Sequence, residues 1–354
     1  MLNILGFIVI LSITVIIHEL GHFISAKLHN VKVEKFSIGF GPVIFKKIIK
    51  SIEFLICIIP LGGYVKLAGD ERSKFKNLPY EFLAKSTFEK IRIVFFGPLF
   101  NYIFAFLIFW IIAMLGIPYE EPVVGKVLED YPAAAVGIKE KDRILEVNNI
   151  KINSWTKMAN TIYKSKDKVF IKVKRNDQIL DFVVPLKSKE FKDFFGKKRY
   201  VSVIGISSAG IIKFERYNFF MAFFKAIQLI FSLTLTIIYG FFLIIVGVVP
   251  FKEAVAGPLG IYYITSEAMK IGIVALLNTV AILNLSLAVM NLFPIPVFDG
   301  GHIAIFLFEG IRKKPISEKT ENILTNIGFT IIGILFVFVF YNDIVRFGSK
   351  IFLK

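Results

Sequence analysis

His18 and His22 stand four residues apart with Glu19 between them, in the run His18-Glu19-Leu20-Gly21-His22. On a helix, residues four apart share a face, so both imidazoles can grip one metal ion while the glutamate sits beside its water. The chemistry such a pattern serves is zinc-dependent hydrolysis, with Glu19 as the base. A catalytic zinc needs a third protein ligand and one open position. His29 misses the spacing of the longer histidine pattern, where position 28 is Leu28 and position 25 is Ser25 rather than glycine. Glu34 and Glu53 read as surface charges on strands. His302 and Asp299 lie together at the end of an apolar run, and the setting favours Asp299: Asn291-Leu292-Phe293-Pro294-Ile295-Pro296-Val297-Phe298-Asp299-Gly300-Gly301. Two prolines and two glycines break a helix there, and exposed backbone near a membrane edge is tolerated only where it lines protein or a water-filled cavity.

The elements that must hold these residues are membrane spans. Residues 2 to 26 are apolar and uncharged except for Glu19, and no Lys or Arg precedes Lys27. That order predicts a retained span with its N-terminus outside, rather than a cleaved leader. Two histidines and a glutamate inside a span are costly, and such residues are functional by default. If the helix is unbroken to Lys27, His18 lies roughly 13 Å inside its cytoplasmic end. From Lys27 to Arg92 thirteen basic residues face six acidic ones, which fits a cytoplasmic loop. Its pattern predicts short strands, with a turn at Gly39-Phe40-Gly41-Pro42. Residues 93 to 117 return the chain outward. Residues 119 to about 215, rich in lysine and in short β-branched runs, predict an exported water-soluble domain.

Three apolar regions follow, at 219 to 251, 272 to 298 and 323 to 342, with Arg312, Lys313, Lys314 and Lys319 marking a cytoplasmic link between the last two. His18 and Asp299 can reach one ion only if the first span and 272 to 298 run in the same direction. The region 219 to 251 is therefore expected to lie along the membrane or dip into it; a paired crossing returning through 254 to 271 is the alternative.

Composition agrees. Hydrophobic residues make up 55% of the 354, too many for a surface that faces water throughout. The net charge of +16 fits positive loops beside spans and anionic headgroups, not nucleic acid. Cys57 is the one cysteine, so an intramolecular disulfide and a cysteine-rich zinc site are both excluded.

The sequence resembles the site-2 protease family of intramembrane metalloproteases, close to the bacterial regulator of sigma-E protease group. The likeness rests on His18 through Phe23, Gly39-Phe40-Gly41-Pro42, Pro60-Leu61-Gly62-Gly63-Tyr64-Val65, Gly97-Pro98 with Asn101, Gly257 through Ile261, and Asn291 through Gly301. It implies zinc held by His18, His22 and Asp299, with Glu19 as general base. Asn291, Pro294 and Pro296, with Gly39 and Gly41 of the hairpin region, would then help hold the substrate backbone. The substrates implied are single-span membrane proteins, of the anti-sigma-factor or remnant-signal-peptide type, often cut first by a site-1 type protease. The setting implied is a bacterial inner membrane.

The soluble domain resembles a single PDZ domain through Pro132-Ala133-Ala134-Ala135 with Gly137, Asp142 through Asn148, and Trp155, departing at Lys141 and Asn149, where glycine is usual. The fold expected is a polytopic α-helical membrane protein with about four transmembrane helices, a membrane-associated segment and a membrane-embedded β-hairpin. One β-rich PDZ-like domain is inserted. The expected divisions are 1–117, 118–215, 216–271 and 272–354. Two other functions fit the same residues: a membrane metal transporter and a non-catalytic PDZ scaffold.

Overall fold

The computed structural model describes residues 2–192 and 198–352. It opens with α1 (Leu2–Leu28), an apolar helix interrupted by His18, Glu19 and His22. A long antiparallel hairpin follows, β1 (Val33–Ile49) and β2 (Ile52–Leu67), and then α2 (Thr87–Leu115). The pairing resolves shorter segments, as expected: residues 35–38 run parallel to 53–56 on one side and antiparallel to 63–66 on the other, while 45–49 run antiparallel to 52–56. The chain direction therefore reverses across Gly39-Phe40-Gly41-Pro42 as well as at Lys50 and Ser51, whose φ are 48° and 66°. Gly39 and Gly41 adopt φ of 88° and 86°. Glycine enters that left-handed region without steric cost, which lets the chain reverse there.

The chain then builds a compact unit from residues 113–222 and 243–250; the rest of the chain forms another. The former contains β3 (Ile117–Glu120), β4 (Val124–Val127), α3 (Pro132–Ala135), β5 (Arg143–Val147), β6 (Ile150–Lys151) and α4 (Trp155–Lys164). It continues with β7 (Lys168–Arg175), β8 (Gln178–Pro185), β9 (Lys187–Lys192), β10 (Lys198–Val203), β11 (Ile206–Ser208) and β12 (Ile212–Glu215). Its central sheet has the order β6-β5-β7-β8. The alternating residues Val169, Ile171 and Val173 of β7 join Ile144, Val147 and Met158 in its core. Asp142, fully buried, is gripped by both arms of Arg175 at 2.7 Å. Lys141 and Asn149, the two departures from the PDZ pattern, take φ of 70° and 63°. They occupy the left-handed backbone for which glycine is usual.

The last part of the chain is helical: α5 (Phe219–Ile245), α6 (Phe251–Ala254), α7 (Pro258–Ile271), α8 (Ile273–Asn291), α9 (Asp299–Arg312) and α10 (Glu318–Phe352). Among the described residues five helices, α1, α2, α5, α8 and α10, are long and apolar enough to cross a membrane. The region beginning at 219 is thus one continuous helix, and it runs antiparallel to α2. Phe223 packs edge-on against Phe106 and Trp110, Thr234 meets Tyr102 at 3.1 Å, and Phe241 stacks on Phe293. Beneath the site, Ala26, Val33, Leu67, Phe82, Ile93 and Phe306 form one buried cluster joining α1, the hairpin, the following loop, α2 and α9.

Candidate active site

The helix predicted around the histidines is unbroken from Leu2 to Leu28, so His18 and His22 share one face. That face meets α2 at very short range. A Cβ on Gly21 would lie 2.1 Å from the Phe96 carbonyl oxygen, and one on Gly97 would lie 2.3 Å from Nε2 of His22. Glycine at both positions lets the helices approach until α2 touches the imidazoles. Ile93, Gly97 and Asn101 repeat every four residues, which places all three on the contacting face.

Asp299 arrives from the opposite end of the chain as the first residue of α9. The preceding loop is tightly folded. Its prolines end the helical pattern after Asn291, and Cβ atoms on Gly300 and Gly301 would crowd the carbonyls of Leu292 and Ile295 at 2.3 Å. Val297 sits at φ 90°. A β-branched residue there stores about 1–3 kcal/mol of strain, which the surrounding packing must hold. Part of that packing is Gly328 of α10, whose missing side chain admits the Pro296 carbonyl.

The three side chains converge. Nε2 of His18 lies 3.2 Å from Nε2 of His22 and 3.1 Å from Oδ2 of Asp299, and Nε2 of His22 lies 3.5 Å from Oδ1 of Asp299. Ligand atoms of the three all lie within 4.8 Å of one another. Oδ2 of Asp299 is buried and no hydrogen bond reaches it. The partners of the imidazoles explain what this set wants. Nδ1 of His22 can only donate to the Ile93 carbonyl, 3.0 Å away, which leaves Nε2 as a lone pair. Nδ1 of His18 faces the amide of Asn101 at 3.4 Å, and Asn101 is wholly buried with Oδ1 unpartnered. With the amide turned so that Oδ1 accepts from Nδ1–H, that orphan is satisfied and the second Nε2 is also free. Two nitrogen lone pairs and a carboxylate oxygen then face one another, an arrangement that repels itself unless a cation sits among them. Donors about 2.0–2.1 Å from a tetrahedral zinc stand about 3.3 Å apart, and the separations here bracket that value. The residues fit zinc.

Glu19 lies beside this group, half-buried, under β2: a Cβ on Gly63 would come within 3.3 Å of its Cγ. Of the other predicted residues, Asn291 ends α8, Pro294 and Pro296 form the loop, and Gly39 and Gly41 stand at the reversal within β1. His29 hydrogen-bonds the Ser25 carbonyl at 2.8 Å, and His302 stacks on Phe306; neither joins the ligand group. Gly97 and Asn101 belong to a motif visible in the sequence, yet their contact with the imidazoles is seen only when the helices are packed. The roles of Gly328 and Val297 leave no trace in residue type.

Two imidazoles and a carboxylate around one position, with a second carboxylate alongside, define a metal-dependent hydrolase site at the heart of a membrane-helix bundle. Comparison with known proteins gives the family. The model of peptidase family M50 matches residues 6–335. A candidate zinc metalloprotease of Campylobacter jejuni is 34% identical over 345 residues, covering 97% of this chain and 93% of the relative. The zinc metalloprotease RasP of Bacillus licheniformis is 26% identical over 426 residues, covering 97% and 99%. A solved PDZ domain of an SdrC-like protein from Listeria monocytogenes is 27% identical, covering 25% of this chain and 88% of that one, with a TM-score of 0.21. The chain belongs to peptidase family M50 and is an intramembrane zinc metalloprotease. That sets aside the transporter and scaffold readings.

Proposed function

We propose that His18, His22 and Asp299 hold the zinc ion, that Glu19 is the general base, and that the bond cut lies in or near the membrane span of a single-span protein. The observation that carries the reading is the convergence of three metal-ligating atoms, with Oδ2 of Asp299 buried and free of hydrogen bonds. When bound, zinc polarises the scissile carbonyl and lowers the pKa of water. The Glu19 carboxylate takes the proton of the attacking water and returns it to the leaving amine nitrogen. Ile93 and Asn101 hold the two imidazoles through Nδ1 and keep Nε2 directed at the ion. Gly97 leaves room for them.

A membrane helix hides its backbone in its own hydrogen bonds, so the substrate must unwind before it is cut. Its freed N–H and C=O groups then need partners. The β1–β2 hairpin supplies them: residues 35–38 of β1 are paired on both sides, with 53–56 and 63–66 of β2, so 63–66 have an open edge, and Gly63 lies against Glu19. In this reading Gly39 and Gly41 shape that edge, while Asn291, Pro294 and Pro296 hold the substrate from the other side. Val43, Ile44, Phe45, Ile48, Ile56 and Ile58 of the hairpin are exposed apolar residues, which supports placing the hairpin in lipid.

The same reading makes α5 a re-entrant helix. It descends beside α2 until Phe241 reaches Phe293 near the site. Yet Lys252 is bound by Asn342, and Gly257 and Gly260 by Asp343. Asp343 lies about 22 Å along α10 from Gly328, which packs on the site loop. The chain thus turns back outward between these contacts, which keeps α1 and α8 parallel. The domain of residues 118–215 is PDZ-like and extracytoplasmic, the membrane is a bacterial inner membrane, and a site-1 type cut by another protease precedes this one.

The test uses the full-length protein in detergent with a single-span substrate. Glu19→Gln should keep stoichiometric zinc and lose cleavage; Asp299→Ala should lose zinc. Zinc retained at full occupancy by Asp299→Ala would end the assignment.

A further inference from the structure

Four charged side chains below the site form a partly buried ion cluster, with Glu309 at its buried centre, that the reaction itself does not use. Arg72, in the turn after β2, donates from an Nη to Glu309 of α9 and from Nε to Glu321 of α10. The Glu309 side chain is only 5% exposed; it also accepts the Ile316 N–H at 2.8 Å and faces Lys90 of α2 at 3.7 Å. Lys90 in turn lies over the Phe306 ring, 4.9 Å from its centroid. One guanidinium and one carboxylate therefore tie a loop and three helices together.

Each of those helices carries part of the metal site. On α2, Ile93, which fixes His22, stands one turn from Lys90. On α9, Asp299 and Glu309 lie at opposite ends of a single 14-residue helix. On α10, Gly328 supports the Pro296 carbonyl two turns beyond Glu321. His22 is thus referenced to α2, Asp299 to α9, and the ion cluster sets the distance between the two helices. Stability alone does not account for such a cluster. Charges taken out of water cost several kcal/mol each, and apolar replacements of similar volume are often as stable or more so. What a forked guanidinium gives that apolar packing does not is a fixed direction and distance. Asp299 needs both, because a metal ligand must be held to within about 0.5 Å, and the loop leading into α9 holds Val297 in a strained conformation.

We infer that Arg72, Glu309 and Lys90 are positioning residues for the metal site: their ion cluster holds α9 at the spacing from α2 that brings the Asp299 carboxylate onto the two imidazoles. The inference rests on Asp299 being a zinc ligand. Glu321 provides the control within the cluster. It takes a comparable share of Arg72 but sits on α10, which carries no ligand.

The experiment compares full-length Glu309→Gln, Glu321→Gln, Arg72→Gln and Asp299→Ala with the parent in detergent. The readouts are zinc affinity by chelator competition, the visible spectrum of the cobalt-substituted protein, and kcat and KM. Glu309→Gln and Arg72→Gln should weaken zinc about tenfold, the lower end for partners of metal ligands, change the cobalt bands, and lower kcat with little change in KM. Glu321→Gln should stay within about twofold of the parent in zinc affinity. The inference fails if Glu309→Gln matches the parent or Glu321→Gln in affinity and spectrum. It also fails if Glu309→Gln alone does not accumulate as folded protein, which would make the residue structural. Should Arg72→Gln not fold, the two glutamate variants decide, since each leaves Arg72 one partner. Asp299→Ala separates the levels. If it keeps zinc, the ligand assignment is wrong; if it loses zinc while Glu309→Gln binds zinc as tightly as the parent, only the positioning role is wrong.

Discussion

Gly97 lies so close to His22 that a Cβ would stand 2.3 Å from Nε2 and 2.5 Å from Cε1 of the imidazole. No rotation of a flexible chain end relieves that clash, because the ring is also held by the Ile93 carbonyl. Gly97→Ala should therefore displace the imidazole or part α1 from α2, and lower zinc affinity at least about hundredfold, the upper end of the range for partners of metal ligands. Gly333→Ala on α10 is the matched control: nothing lies within 4 Å of its added Cβ. Helix propensity favours that change by about 1 kcal/mol. Metal content after gel filtration in both variants checks the pair. Normal zinc in Gly97→Ala would show that the helices can separate freely.

Asn101 should behave as an orienting partner for His18. Its side chain is wholly buried in α2, where an unpaired amide would be costly, and His18 Nδ1 is its neighbour at 3.4 Å. Asn101→Leu removes the partner while keeping the volume. We expect zinc to bind about 10–100-fold more weakly, with the chain still folded. Isothermal titration of the metal-stripped variant gives the value, and an affinity equal to the parent's would deny Asn101 this role.

The two halves of the proposed metal site differ in how much of them residue type reveals. Histidines four apart on an apolar run declare a shared helical face, and an aspartate after two prolines declares a break lined by polar groups. Both signals are local. Gly97 carries no such signal, since a glycine within an apolar helix reads only as a weak point until the opposing His22 is known. Arg72 and Lys90 are hidden for a related reason: basic residues beside a span are what the membrane surface already predicts, so their buried partner on α9 is invisible. Gly39 and Gly41 are turn residues by type, and the chain does reverse there. Which segments of β2 then lie on each side of 35–38 is not legible from residue type, because pairing partners are set by the whole sheet.

The inserted domain should be acid-sensitive through Glu121. Lys213 at 2.9 Å and Arg143 at 2.6 Å bond its nearly buried carboxylate and hold its pKa below the usual carboxylate range. A carboxylate whose pKa is depressed on folding adds stability above its unfolded value, near 4.5, and that stability is lost as pH falls through the folded value. Hydrogen exchange of the amides of β4 and β5 in the full-length protein should therefore quicken below about pH 4.5. In Glu121→Gln the step should be missing, with faster exchange already at neutral pH. An unchanged pH profile in the variant would place the acid sensitivity elsewhere.

Asp343 decides which way the chain turns after α5. It is wholly buried in α10, and its two oxygens accept the Gly257 and Gly260 N–H groups at the start of α7, at 3.1 and 2.8 Å. Cβ atoms at either glycine would strike it, at 2.7 and 3.1 Å. Asp343→Leu strands two buried donors, each costing about 1–3 kcal/mol, so the variant should melt well below the parent in detergent. If α5 dips and returns as proposed, Lys252 lies on the side of the inserted domain. The exposed Lys252 side chain, changed to cysteine in a Cys57→Ser background, should then react with an impermeant thiol reagent from the same side as Glu140→Cys. Lys313→Cys should react from the opposite side. Labelling of Lys252→Cys together with Lys313→Cys would mean that α5 crosses the membrane completely. The parallel course of α1 and α8, on which the meeting of Asp299 with the histidines depends, would then require a second crossing before residue 272.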